Sequence, residues 1–197
     1  MSRSYLLMGA FAVLVVLGVF LFTGYSSQPG TEPSTTSFSA QQAVSDLTAL
    51  KASPDEETLW KSYYSRSVGI SLKYPDSFRI TEMPNADIDT LPIRHSIVIT
   101  DDVNASDSSN QIPSSDYMQI TREEGTADMP ESVPQSAQTT FLGHNTLALT
   151  GDYNGNAYDL LYFKSGGNLY VISINYTSRN DATRNKLYKI LSTLTIP

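Results

Sequence analysis

Residues 5–25 read YLLMGAFAVLVVLGVFLFTGY, inside a charge-free gap from Ser4 to Thr31. A run of this kind cannot sit on the surface of a water-soluble domain. As a helix it rises about 31 Å at about 1.5 Å per residue, matching a hydrocarbon core of about 30 Å. Tyr5 and Tyr25 stand at its ends, where amphipathic rings prefer the headgroup layer. Arg3 precedes it, and nothing basic follows until Lys51. The expectation is a single-pass anchor over 5–25, with residues 1–4 a cytoplasmic stub and the remainder extracytoplasmic at the cell membrane. Gly24-Tyr25-Ser26 offers the small-residue spacing of a signal peptidase site, so a cleaved signal peptide is the competing reading. The apolar core over 6–22 exceeds the roughly 7–15 residues of a signal core, which favours retention. Both readings export the rest. With no cysteine in the chain, a lipid-modified anchor, disulfides and thiolate metal sites are all excluded.

The exported part carries the charge. Without Arg3 it holds 12 bases against 20 acids, a poor surface for nucleic acid or anionic lipid. Residues 82–131 hold eleven acids against Arg94 and Arg122, whereas residues 164–189 hold five bases against Asp181. Residues 26–38, SSQPGTEPSTTSF, are too polar to bury apolar area and form a flexible linker, with a mean reach on the order of 20 Å. Residues 39–197 are then one extracytoplasmic α+β domain, large enough to be stabilised by packing alone.

Ser39 caps an amphipathic helix with Ala40, Ala43, Val44, Leu47 and Leu50 along one face, and Pro54 opens a further turn after Ser53. Beyond Thr58 the period changes to alternation. Strands are expected over 59–64, 68–74, 78–82, 93–100, 117–122, 146–150, 158–164 and 168–176. Ser165-Gly166-Gly167 makes the last pair a hairpin. A closing helix, begun by Ser178 and Asp181, lays Leu187, Ile190, Leu191 and Leu194 on the sheet. Arg184, Lys186 and Lys189 are expected on its opposite side.

No pattern for catalysis emerges. There is no Gly-x-Ser-x-Gly elbow, no Ser-x-x-Lys and no phosphate loop, and His95 and His144 lie about fifty residues apart, each within an alternating stretch. No cofactor is expected. Asp101, Asp102, Asn104 and Asp107 form one candidate ion loop of hard oxygen ligands, although it lacks the glycine and terminal Glu of a helix-loop-helix calcium site. Tyr158, Tyr162, Tyr170 and Tyr176 offer flat faces with hydroxyls and form a candidate ligand face, packing in the core being the alternative.

Trp60-x-x-Tyr63, Gly69-Ile70-Ser71-Leu72-Lys73-Tyr74-Pro75 with Phe78, and Ile190-Leu191-Ser192-Thr193-Leu194 together give a pattern that resembles the PsbP/Mog1-like domain. It covers 58–197 and departs at Phe78, where the pattern usually has tryptophan. The resemblance implies an antiparallel sheet with helices on both faces, an α/β/α sandwich, used as an accessory or binding scaffold. It transfers no catalytic position, and fold does not carry function. The reading is therefore a membrane-anchored binding or accessory module for a protein, peptide or envelope component. It is not expected to be an enzyme; a hydrolase using carboxylates with His95 or His144, or a ligand-free spacer, is the alternative.

Overall fold

The computed structural model describes residues 39–83, 93–102, 116–125, 128–130, 136–153, 156–177 and 182–196. The expected anchor over 5–25 and linker over 26–38 lie outside the described residues. Among those that are described, no helix is long and apolar enough to cross a membrane.

Helix α1 (Ala40–Ala49) starts where expected: the Ser39 side chain accepts from the Gln42 amide at 3.3 Å. Helix α2 (Pro54–Thr58) is a single turn closed by a reciprocal capping box between Ser53 and Glu56. Two strands follow, β1 (Lys61–Ser65) and β2 (Ile70–Tyr74), paired only with each other. Gly69 closes their turn at φ +70°, and an added Cβ there would lie 3.2 Å from an Arg122 nitrogen. The first pair is thus a ribbon separate from the main sheet.

The main sheet has seven antiparallel strands: β3 (Arg79–Met83), β4 (Arg94–Thr100), β5 (Tyr117–Glu123), β6 (Ala137–Phe141), β7 (His144–Tyr153), β8 (Asn156–Ser165) and β9 (Asn168–Tyr176). Their order is β3-β4-β5-β9-β8-β7-β6. Two sequential meanders, β3 to β5 and β6 to β9, therefore meet at the single seam between β5 and β9. Strand β6 was not foreseen. Its Ala137-Gln-Thr-Thr-Phe141 holds little apolar area, and the turn into β7 uses Leu142-Gly143, both at positive φ, instead of an asparagine-glycine pair.

Alternation along each strand sorts the side chains. One face carries Ile97, Ile99, Met118, Ile120, Leu161, Phe163, Ile172 and Ile174, all at most 2 % exposed. These share one apolar cluster with Val68, Ile70 and Leu72 of the ribbon and with Leu187, Tyr188, Ile190 and Leu191 of helix α3 (Ala182–Leu191). Val44 and Leu47 of α1 and its C-cap Leu50 pack against the same cluster, and α1 contacts β6 and β7. After α3, Thr195 pairs with Ser71, each amide donating to the other's carbonyl at 3.0 and 2.8 Å, which covers the free edge of β2.

The fold is thus an antiparallel sheet with a few helices. Of the expected α/β/α arrangement, the helices and the ribbon of the described residues form a layer on one face of the sheet. As far as the described residues go, the other face carries no helix. Over β4, β5 and β9 that face mixes Ser96, Gln119, Thr121, Ser173 and Asn175 with Val98, Tyr117, Leu169 and Val171.

Candidate functional site

The helix-free face combines aromatic rings with uncharged hydrogen-bonding groups. Register places Tyr117, Asn175, Tyr158 and Gly151 in one row across β5, β9, β8 and β7. The next rows hold Gln119, Ser173 and Leu160, then Ser96, Thr121, Val171 and Tyr162. Val98, Leu147 and Leu169 are buried within this face, and the tyrosines are half-buried. Gly151 makes room for its neighbour: a Cβ at that position would lie 2.3 Å from the Tyr158 hydroxyl, so the Tyr158 ring lies across the glycine. Burial raises the Tyr117, Tyr158 and Tyr162 phenols above their ordinary range; nearby Asp152 adds to this at Tyr158, and Tyr158 and Glu123 add to it at Tyr162. Ser96 and Thr121 share a 2.8 Å hydrogen bond, and Asn175 donates to Ser173 at 2.7 Å. A surface of this kind binds neutral or weakly polar groups by ring contact and directed hydrogen bonds.

The four tyrosines singled out from the sequence do not share this face. Tyr158 and Tyr162 lie on it, whereas Tyr170 and Tyr176, 3 % and 1 % exposed, point into the core opposite. Tyr170 stacks on Phe163 with ring centres 5.3 Å apart and donates to the Val68 carbonyl at 3.2 Å. Tyr117, Gln119, Ser173 and Asn175 were missed, and the signal for them is cross-strand register, which strand alternation alone does not give.

The two histidines occupy the core-side face but do not meet. Strands β5, β9 and β8 separate β4 from β7, roughly 19 Å at about 4.8 Å per strand. His144 stacks on Phe163 with ring centres 5.7 Å apart. His95 faces a Glu124 oxygen at 3.2 Å, and Arg122 pairs with the same carboxylate. Those partners, Arg122 first, hold the Glu124 carboxyl below its ordinary range. Nearby, Glu82 clamps the ribbon, accepting from Tyr63 and Ser65 at 2.9 Å and from Ser67 at 3.3 Å. Burial, with the Glu82 charge behind it, pushes the Tyr63 phenol up to about 12.

The closing helix holds the largest departure from expectation. Arg184, expected toward solvent, is 2 % exposed, because it lies three residues before Leu187 and shares its inward stripe. Its Nη2 donates to Asp159 at 3.0 Å and to Asp46 at 2.6 Å, and its guanidinium lies 4.6 and 4.5 Å from the Tyr176 and Tyr188 ring centres. Asp159, 0 % exposed, also accepts from Thr150 at 2.8 Å, Tyr176 at 3.1 Å and Tyr188 at 2.6 Å. Burial opposes the Arg184 charge, but Tyr188, Asp46 and Asp159 outweigh it and hold the guanidinium above its ordinary range. Burial first, and the Asp159 charge next, drive the Tyr188 phenol well up.

In the candidate ion loop, Asp101 accepts from the Thr183 hydroxyl at 2.8 Å and the Asp102 amide donates to the Thr100 hydroxyl at 3.1 Å. Asn104 and Asp107 lie outside the described residues. Among the described residues, no three His, Cys, Asp or Glu side chains group closely enough to hold a metal ion.

No protein-family model matches the chain, and no curated protein does. Solved structures do. A PsbP protein is among them. The solution structure of cyanobacterial PsbP (CyanoP) from Synechocystis is similar at 10 % identity and a TM-score of 0.46, covering 75 % of this chain and 98 % of that one. A crystal structure from Bacteroides thetaiotaomicron is similar at 12 % identity and a TM-score of 0.46, covering 71 % of this chain; this chain spans about half of its length, 49 %. The family whose phrases the sequence resembles is thus represented among its structural neighbours, at a likeness that carries nothing to the site.

Proposed function

We propose that the chain is a membrane-anchored extracytoplasmic binding or accessory module without a catalytic role, and that its contact surface is the helix-free face around Tyr117, Tyr158 and Tyr162. The anchor reading rests on the uncharged 21-residue stretch over 5–25. The binding reading rests on one observation: helices and ribbon bury one side of the sheet, while the other keeps half-buried rings beside side-chain amides and hydroxyls. Its partner is a protein, peptide or other envelope component with little charge, since the centre of the patch holds no ionisable group besides its tyrosines. Site-specific photocrosslinking in cells tests this. A photoreactive residue in place of Ser173 gives a discrete adduct that Tyr158→Ala with Tyr162→Ala abolishes, whereas one in place of Lys186, exposed on α3, gives none. Equal labelling from both positions, or none from Ser173, removes the face from consideration and favours a ligand-free spacer.

A further inference from the structure

We infer that α1 is a releasable latch: it detaches from the folded sheet as a unit, and the Asp46–Arg184 pair is the catch that holds it.

Charge placement carries the argument. Asp159 and Arg184 are buried together, and the Asp159 oxygens accept from Thr150, Tyr176, Tyr188 and Arg184. That pair is neutral and keeps both aromatic faces without any contribution from α1. Asp46 adds a second carboxylate to the same nitrogen from the rim, its side chain 14 % exposed. Withdrawing Asp46 therefore leaves Arg184 paired with the buried Asp159, whereas withdrawing Asp159 leaves it only the rim carboxylate of Asp46.

The rest of α1 holds weakly. Of its ten residues only Ala40 and Ala43 are fully buried; Val44 and Leu47 pack half-buried against the core, and five are exposed, so its apolar contact is small. The first turn has no acid and the last no base, so the helix dipole is uncompensated. Ser45 and Thr48 hydroxyls donate back to the Gln41 and Ser45 carbonyls, which competes with helix geometry. A ten-residue helix of this composition does not persist alone in water, so α1 melts as it leaves. Such elements form the low-stability end of a native structure and open without global unfolding.

Hydrogen exchange on the full chain in detergent tests the latch. The α1 amides should exchange faster than those of β8, β9 and α3 in the native protein. Asp46→Asn, which keeps size and helix length, should speed exchange in α1 by about ten- to a hundredfold and leave β8 and β9 unchanged. Asp159→Asn, by contrast, should speed exchange throughout. Exchange of α1 at the rate of β9, or Asp46→Asn speeding β8 and β9 as much as α1, overturns the inference. Circular dichroism of Asp46→Asn keeping the sheet signal confirms that the variant is folded when read.

Discussion

Asp159 shows how much one side chain can settle. It is a fully buried carboxylate whose oxygens meet one guanidinium and three hydroxyls, and those groups come from β7, β9 and α3. Replacing it by asparagine leaves Arg184 charged and buried, with the weakly held Asp46 as its remaining carboxylate. The expected cost is about 3–5 kcal/mol, read as a lower denaturant midpoint with an unchanged slope. Leu142 is the opposite case. It holds φ at 50° in the β6–β7 turn, a region a leucine occupies only under strain, and it is partly exposed. Leu142→Asn should stabilise by about 1 kcal/mol, a rise of roughly 2–4 °C in the unfolding midpoint. Neither residue stood out in the sequence. An aspartate between Tyr158 and Leu160 resembles any strand polar residue until its partners are known, and a leucine gives no hint of a turn.

At the scale of elements, legibility followed periodicity. The hairpin through Gly166-Gly167, the Ser39 cap, the turn opened by Pro54 and the closing helix were all readable, because each depends on residues within one turn or strand. What could not be read was which face a helix takes, since that depends on pairings far apart in sequence, and which side of α3 Arg184 faces, since a long basic side chain is assigned to water by default. The β1–β2 ribbon is a case in point: among the described residues it pairs with no strand of the main sheet, and Glu82 of β3 ties it there through three hydroxyls. Glu82→Ala should loosen the ribbon and cost about 1–3 kcal/mol, with faster hydrogen exchange in β1 and β2 than in β9. The same clamp sets an alkaline limit. Tyr63 titrates near 12 when folded and near 10 when unfolded, so the folded state holds the extra proton. Its contribution is complete below pH 10 and is lost as pH rises through 12, and Tyr63→Phe should flatten stability over that window in alkaline denaturation.

For the whole molecule, the proposed arrangement is an acidic, cysteine-free domain on a short tether. Its address is directly measurable: a carboxyl-terminal reporter that matures only outside the cytosol should be active, and deletion of residues 5–25 should silence it. Activity retained after that deletion would refute the anchor. A second consequence comes from the seam between β5 and β9, which among the described strands joins the two meanders. A chain threaded outward from its amino end delivers β3 to β5, then β6 to β8, and only then the strand that welds these parts together. On the proposed export route, the protein would be two unjoined half-sheets with their greasy sides uncovered until β9 cleared the translocation pore, and that interval is when a chaperone or an aggregating neighbour would find it.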